Sequence, residues 1–186
     1  NADETPVQVL NEPDRKNTTK SYMWVFRGGS PDKPVVLFWY SRTRSGEVPR
    51  EVLKGFHGYL QPDDFSAYEG LEGEMRRVGC FAHTRRNFVK VIDARGAGAK
   101  KKTGSAEVAL GYIGKLYTIE RSAREAGLSP GETQKLRKEK AEPILNEFKA
   151  WMEERMSLTP PKGLLGKALS YALSNWSKLI RYLEDG

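Results

Sequence analysis

Hydrophobic and polar positions alternate in short runs over the early part of the chain, with turn-forming residues between them. Asp3-Glu4-Thr5-Pro6-Val7-Gln8-Val9-Leu10 has the alternating, β-branched character of a strand, with acids at its entrance. Residues 11–19 are turn-formers, and Ser21–Arg27 reads as a second strand. Gly28-Gly29-Ser30-Pro31-Asp32 is a hairpin-type connection to a third run, Val35–Tyr40. That run is apolar on both faces, so it is expected to be well buried. The three predict an antiparallel meander. A basic loop, Ser41–Glu47, then leads to a short helix near Val48–Phe56.

The stretch Gly58–Tyr68 organises the next part of the chain. Tyr59–Gln61 reads as a short strand stopped by Pro62, which cannot donate to a sheet ladder. Asp63 and Asp64 come directly after it, then a helical turn ending at Gly70. Arg76–Cys80 is a fifth strand. Phe81 to about Ala94 is an amphipathic helix with Phe81, Phe88, Val89 and Ile92 inward and Arg85, Arg86 and Lys90 outward. The order βββ-α-β-α-β-α is that of an α/β, ribonuclease H-like mixed sheet, in which the first and fourth strands lie side by side. Adjacent strands sit about 4.8 Å apart, so acids on both can share cations.

Past residue 95 the periodicity changes. Residues 96–104 are glycine-rich, basic and aperiodic, and read as a flexible linker. From Ser105 onward the pattern is helical, with Ala109, Tyr112, Leu116, Ile119 and Ala123 on one stripe. Ser129-Pro130-Gly131-Glu132 is a capping box with proline at the first helical position. The helix it opens carries Leu136, Leu145, Phe148, Met152 and Met156 inward, with a kink expected at Pro143. A last stripe runs through Leu165, Leu169, Leu173, Trp176, Leu179 or Ile180, and Leu183. The expected organisation is a ribonuclease H-like core over 1–95, the linker, and a helical insertion with the start of a closing helical region over 105–186.

Composition narrows the function classes. No run of eighteen apolar residues is present in the 186, and no secretory signal is expected. The single Cys80 excludes an internal disulfide framework. A reducing cytoplasm is therefore the expected setting. The net charge of +7, mostly carried by the later part, favours a polyanionic partner.

Several chemistries fall away. Cys80 and His83 have C-x-x-H spacing, but zinc needs about four ligands and no second pair exists. No phosphate-binding glycine loop follows a strand; a Ser–His–Asp triad stays open, although no nucleophile elbow marks one. The acids remain. Two-metal phosphoryl transfer needs carboxylates holding cations roughly 3.5–4 Å apart. Asp3 and Asp63 are the natural pair for the proposed strand order, since Glu4 points to the opposite face of its strand and Asp64 is one residue out of step. The competing reading makes Asp63 or Asp64 a cap for the turn at Ser66–Tyr68.

Four segments together carry a resemblance: Ala2-Asp3-Glu4-Thr5-Pro6-Val7, Ser41-Arg42-Thr43-Arg44-Ser45-Gly46-Glu47, Gly58-Tyr59-Leu60-Gln61-Pro62-Asp63, and Gly79-Cys80-Phe81-Ala82-His83-Thr84-Arg85-Arg86-Asn87-Phe88. In this order they resemble successive landmarks of the bacterial transposases of the insertion-sequence-66 family, of the DDE class. The resemblance implies DNA cleavage and joining with Mg²⁺ or Mn²⁺, and a homo-oligomer on double-stranded DNA. It makes Asp3 the first acid and Asp63 the second. The family's third acid, a Glu in Asn-Asn-x-x-Glu-Arg, is expected just beyond Leu183-Glu184-Asp185-Gly186, so residues 1–186 are expected to be nearly inactive alone. Arg42, Arg44, Arg85, Arg86 and Lys90 are the expected DNA-phosphate contacts. The alternative is a basic DNA-binding or assembly module without chemistry.

Overall fold

The computed structural model describes residues 1–30, 32–71, 74–95 and 104–186. The stretch read as a linker therefore lies, except for Gly104, outside the described residues. The chain forms two compact units, Asn1–Val78 and Gly79–Gly186.

The first unit is built on β1 (Ala2–Gln8), β2 (Lys20–Ser30) and β3 (Lys33–Ser41), antiparallel in the order β1-β2-β3. Near the end of β2, opposite Pro34 of β3, Gly29 adopts φ 84°, a left-handed conformation, and a Cβ there would collide with the Lys33 carbonyl oxygen. Helix α1 (Glu47–Val52) follows, then β4 (Gly58–Leu60) and β5 (Met75–Arg77), which pair in parallel. Among the described residues between β4 and β5, the chain forms a 3-10 turn, Ser66–Tyr68.

The expected element order is present, but not as one continuous five-stranded sheet. The three-stranded sheet and the β4–β5 pair are separate ladders. One backbone hydrogen bond, Ala2 N–H to Gln61 O at 3.1 Å, ties the start of β1 to the residue after β4. The three-residue length of β4, stopped by Pro62, leaves no room for a longer ladder with β1.

The core of this unit gathers Ala2, Trp24, Phe26, Val48, Leu53, Leu60, Ala67 and Tyr68. The register Ala2↔Phe26 and Glu4↔Trp24 puts these four side chains on the inner face. Strand β3 departs from expectation. Phe38 is 65% exposed and Val35 62%, with Val36, Leu37 and Tyr40 also exposed. An apolar run reads as doubly buried only when layers cover both faces. Here β3 is an end strand, and of its side chains Trp39 packs against the core.

The second unit is helical: α2 (Phe81–Asp93), α3 (Ser105–Glu125), α4 (Pro130–Leu136), α5 (Glu142–Ser157), α6 (Leu164–Ser174) and α7 (Trp176–Leu179). Helix α2, grouped with the strands on sequence, packs against α3 and α6 through buried Phe88 and Val91. Its inward face is rotated from the expected one, so Thr84 and Val91 are buried while Phe81, Val89 and Ile92 are only partly so. The capping box forms as read: Glu132 N–H donates to Ser129 Oγ, and Ser129 N–H to Glu132 Oε2.

The interruption expected at Pro143 is a π-helical turn, Arg137–Ala141, immediately ahead of it. Proline lacks the amide hydrogen and its ring crowds the carbonyl one turn back, so the helix widens there. The last stripe is likewise broken. It passes from α6 to α7 at buried Asn175, whose Nδ2 donates to the Tyr171 carbonyl at 3.1 Å.

Gly79 is a close-approach point within this unit. Its N–H donates to the Lys178 carbonyl at 2.8 Å, and a Cβ there would stand 2.9 Å from the Leu179 nitrogen. Gly79→Ala is expected to cost about 1–3 kcal/mol, because backbone atoms must shift. Urea unfolding measures it, and a change below about 0.5 kcal/mol would contradict the close approach.

Candidate acidic site

Two loops and one strand entrance bring Glu4, Arg44, Asp63, Phe65 and Tyr68 together in the first unit, with Asp3 next to Glu4 on the other face of the strand. The β3–α1 loop supplies Arg44, the loop after β4 supplies Asp63, Phe65 and Tyr68, and β1 supplies Asp3 and Glu4. The period of two puts Asp3 on the exposed face of β1 and Glu4 on the inner one, beside Ala2 and Trp24.

Glu4 is the centre of the cluster. Its Oε2 accepts from the Tyr68 hydroxyl at 2.9 Å, and its Oε1 accepts from Arg44 Nε at 2.8 Å and from Arg44 Nη2. The Arg44 guanidinium lies over the Phe65 ring, 3.7 Å from its centroid, a cation–π arrangement. Its Nη2 is 3.7 Å from Asp63 Oδ2, so one arginine touches two carboxylates. Asp63 Oδ1 accepts from Phe65 N–H at 3.0 Å, an Asx turn that orients the carboxylate ahead of the 3-10 turn. Asp3 Oδ1 accepts from Glu4 N–H at 2.9 Å.

The electrostatics follow from burial. Desolvation pushes Glu4 above the usual carboxylate range, against the pull of Arg44 and Tyr68, and the charge of Asp63 adds to the rise. Arg44 is raised too: desolvation opposes its charge, but the Glu4 hydrogen bond and the charges of Glu4 and Asp63 outweigh it. The pair is asymmetric because the Glu4 side chain is 0% exposed and Arg44 40%, so the carboxylate bears most of the desolvation. Burial pushes the Tyr68 hydroxyl far up as well, helped by Glu4 and further by Asp63 and Asp3. Both Asp3 and Asp63 therefore act on one hydroxyl.

This carries a pH signature. Because folding raises the Glu4 pKa above its ordinary 4.5, the folded state holds that proton more tightly than the unfolded chain. The stabilising contribution is complete below 4.5 and is lost as pH rises through the elevated folded value. In urea unfolding, any advantage of wild type over Glu4→Gln should therefore shrink as pH rises from about 4 to about 7. Glu12, Glu107 and Glu132 are shifted down and act oppositely, but they are common to both proteins and cancel. An advantage that is flat, or grows with pH, would contradict the burial argument.

The basic residues divide. Arg42 is tied to the β1–β2 loop: its Nη2 donates to the Pro13 carbonyl at 2.6 Å, and its Nε is 3.1 Å from Glu12 Oε1. Arg44 is tied to Glu4. Arg85, Arg86 and Lys90 are exposed on α2, in the second unit. His83 Nδ1 is buried without a hydrogen-bond partner among the described residues. The oxygen-only donors Asp3 and Asp63 suit a hard divalent cation. Among the described residues, no group of three or more His, Cys, Asp or Glu is gathered for one. Arg44 beside Asp63 is discordant with a cation there.

The roles of Glu4 and Tyr68 were missed on sequence. The signal available was an acid at a position where alternation calls for an apolar residue, between Ala2 and the apolar face of β2.

Comparison with known proteins places the chain. Similar proteins from Sinorhizobium fredii carry no described function: "Uncharacterized protein y4jD" is 30% identical over 202 residues, covering all of this chain and 37% of that protein. "Uncharacterized protein y4qI" is 28% identical over 200 residues, covering all of this chain and 35% of its own. This chain spans about a third of the length of these relatives. No solved structure matches. The model of the family described as "Transposase IS66 family" matches residues 1–186. The chain belongs to the IS66 transposase family.

Proposed function

We propose that residues 1–186 form most of the catalytic core of a DDE transposase that cleaves and joins insertion-sequence DNA, with Asp3 and Asp63 as two of its three acids. The observation that carries this reading is the hydrogen bond from Ala2 N–H to Gln61 O, which joins the strand entrance bearing Asp3 to the loop bearing Asp63. Family membership over the whole chain supports the reaction class. The reading keeps the ribonuclease H-like fold, with 1–95 as core and 105–186 as helical insertion. The third acid, a Glu, belongs to the segment after Leu183-Glu184-Asp185-Gly186.

Asp3 and Asp63 would hold Mg²⁺ or Mn²⁺, which when bound supplies Lewis-acid stabilisation to the attacking and leaving oxygens. The chain's own part is to fix the carboxylates. The Asx turn with Phe65 N–H does this for Asp63, and the Glu4 N–H does it for Asp3. Double-stranded DNA is the substrate, and a homo-oligomer the working form.

A second reading has a specific observation in its favour. Both Asp63 oxygens already have partners, Phe65 N–H and Arg44, as a purely structural cap would. On that reading the unit is a scaffold and the chain a basic DNA-binding or assembly module. Strand cleavage by the full-length protein, assayed on its insertion-sequence ends with and without Mg²⁺, separates the two. Metal-dependent cleavage supports the enzyme, and DNA binding without cleavage supports the module.

The exposed face of α2 supplies a second check. Arg85, Arg86 and Lys90 neutralise phosphates in this reading, so replacing all three with alanine should weaken duplex binding at low salt. The slope of log K against log salt should flatten by about 0.9 for each phosphate no longer neutralised. An unchanged slope would make that face merely solvated.

A further inference from the structure

Arg44 is held more tightly than its place in a basic loop requires. Two of its nitrogens donate to Glu4 Oε1, and the other Glu4 oxygen is committed to the Tyr68 hydroxyl. The Phe65 ring covers one face of the guanidinium at 3.7 Å. Tyr68 is in turn fixed by the Trp24 ring, edge-on at 6.0 Å. The result aims Nη2 at Asp63 Oδ2 from 3.7 Å. A positive charge thus stands against one oxygen of a carboxylate whose other oxygen is taken by Phe65 N–H.

We propose that Arg44 is the resident counter-cation of Asp63, a positioning residue that stands where a divalent ion would meet this carboxylate. Binding of the ion at Asp63 then requires the guanidinium to move aside. The inference rests on the reading of Asp63 as a metal-binding acid. Glu4 and Tyr68 form the anchor that returns Arg44 to Asp63 when the ion leaves. A unit charge at this range opposes a divalent ion, though with Arg44 40% exposed solvent screens part of that repulsion.

The test is Mn²⁺ binding to the full-length protein, followed through the resonance of free Mn²⁺ in wild type, Arg44→Gln, Arg44→Lys, Asp63→Asn and the double variant Glu4→Gln/Arg44→Gln. The double variant guards against misfolding, since it leaves no buried carboxylate without its partner. Arg44→Gln and the double variant are expected to bind Mn²⁺ about tenfold more tightly or better. Arg44→Lys, which keeps the charge, should stay within about threefold of wild type. A merely structural arginine would give weaker or unchanged binding on removal. If Asp63→Asn weakens binding while both Arg44→Gln proteins bind no more tightly than wild type, the counter-cation role is wrong and Asp63 remains a ligand. If Asp63→Asn leaves binding unchanged, Asp63 is no ligand, and the underlying reading fails together with this one.

Discussion

Asp63→Asn is expected to lower DNA strand cleavage by the full-length protein about 10²–10³-fold, the loss typical of one preorganised electrostatic element. The substitution preserves shape. An asparagine oxygen can still accept the Phe65 N–H bond that Asp63 Oδ1 accepts, so the turn into Ser66–Tyr68 should survive. The change removes the negative charge facing Arg44. Unfolding by urea should therefore be nearly unchanged while the cleavage rate collapses. That split separates a catalytic acid from a cap. Cleavage within about threefold of wild type would leave Asp63 as a turn-former only.

Trp24→Ala is expected to destabilise the strand unit by about 3–5 kcal/mol, a large part of the stability of any single domain. Trp24 is 0% exposed and lies in the middle of β2, opposite Glu4 on β1 and Trp39 on β3. Its ring meets Tyr68 edge-on at 6.0 Å and 69°. Removing it leaves a cavity beneath Tyr68, whose hydroxyl holds Glu4, so the damage reaches the acidic site as well as the core. Phe38→Ala, on the exposed edge strand, should cost less than about 1 kcal/mol. Urea unfolding of both variants measures the contrast, and equal losses would mean that β3 is covered in solution.

Much of the chain's order was legible because it is written locally. Period-two alternation and the turn residues at 11–19 mark β1 and β2, although β2 runs on through Gly28–Ser30, whose residues read as connection, and the Ser129–Glu132 box marks the start of α4. Pro62 fixes where β4 ends. Burial was less legible, because it depends on the layers that pack against an element. The apolar run of β3 does not reveal that it sits at a sheet edge. The last helical stripe does not reveal the break at Asn175. The least legible feature was the Glu4–Arg44–Tyr68 cluster. Its partners are 40 and 64 residues from Glu4 in the chain, so no local spacing announces it. Local pattern identified Asp3 and Asp63 as acids at a strand entrance and a strand end. It could not identify the buried neighbours that hold the second of them against an arginine.

The most direct test is a crystal structure of the full-length protein grown with Mn²⁺, with the ion located by anomalous scattering. The expected result is an ion bound by carboxylate oxygens of both Asp3 and Asp63, with Arg44 turned away from Asp63. An ion bound elsewhere, or Asp3 and Asp63 left without one while Arg44 stays in place, would contradict it.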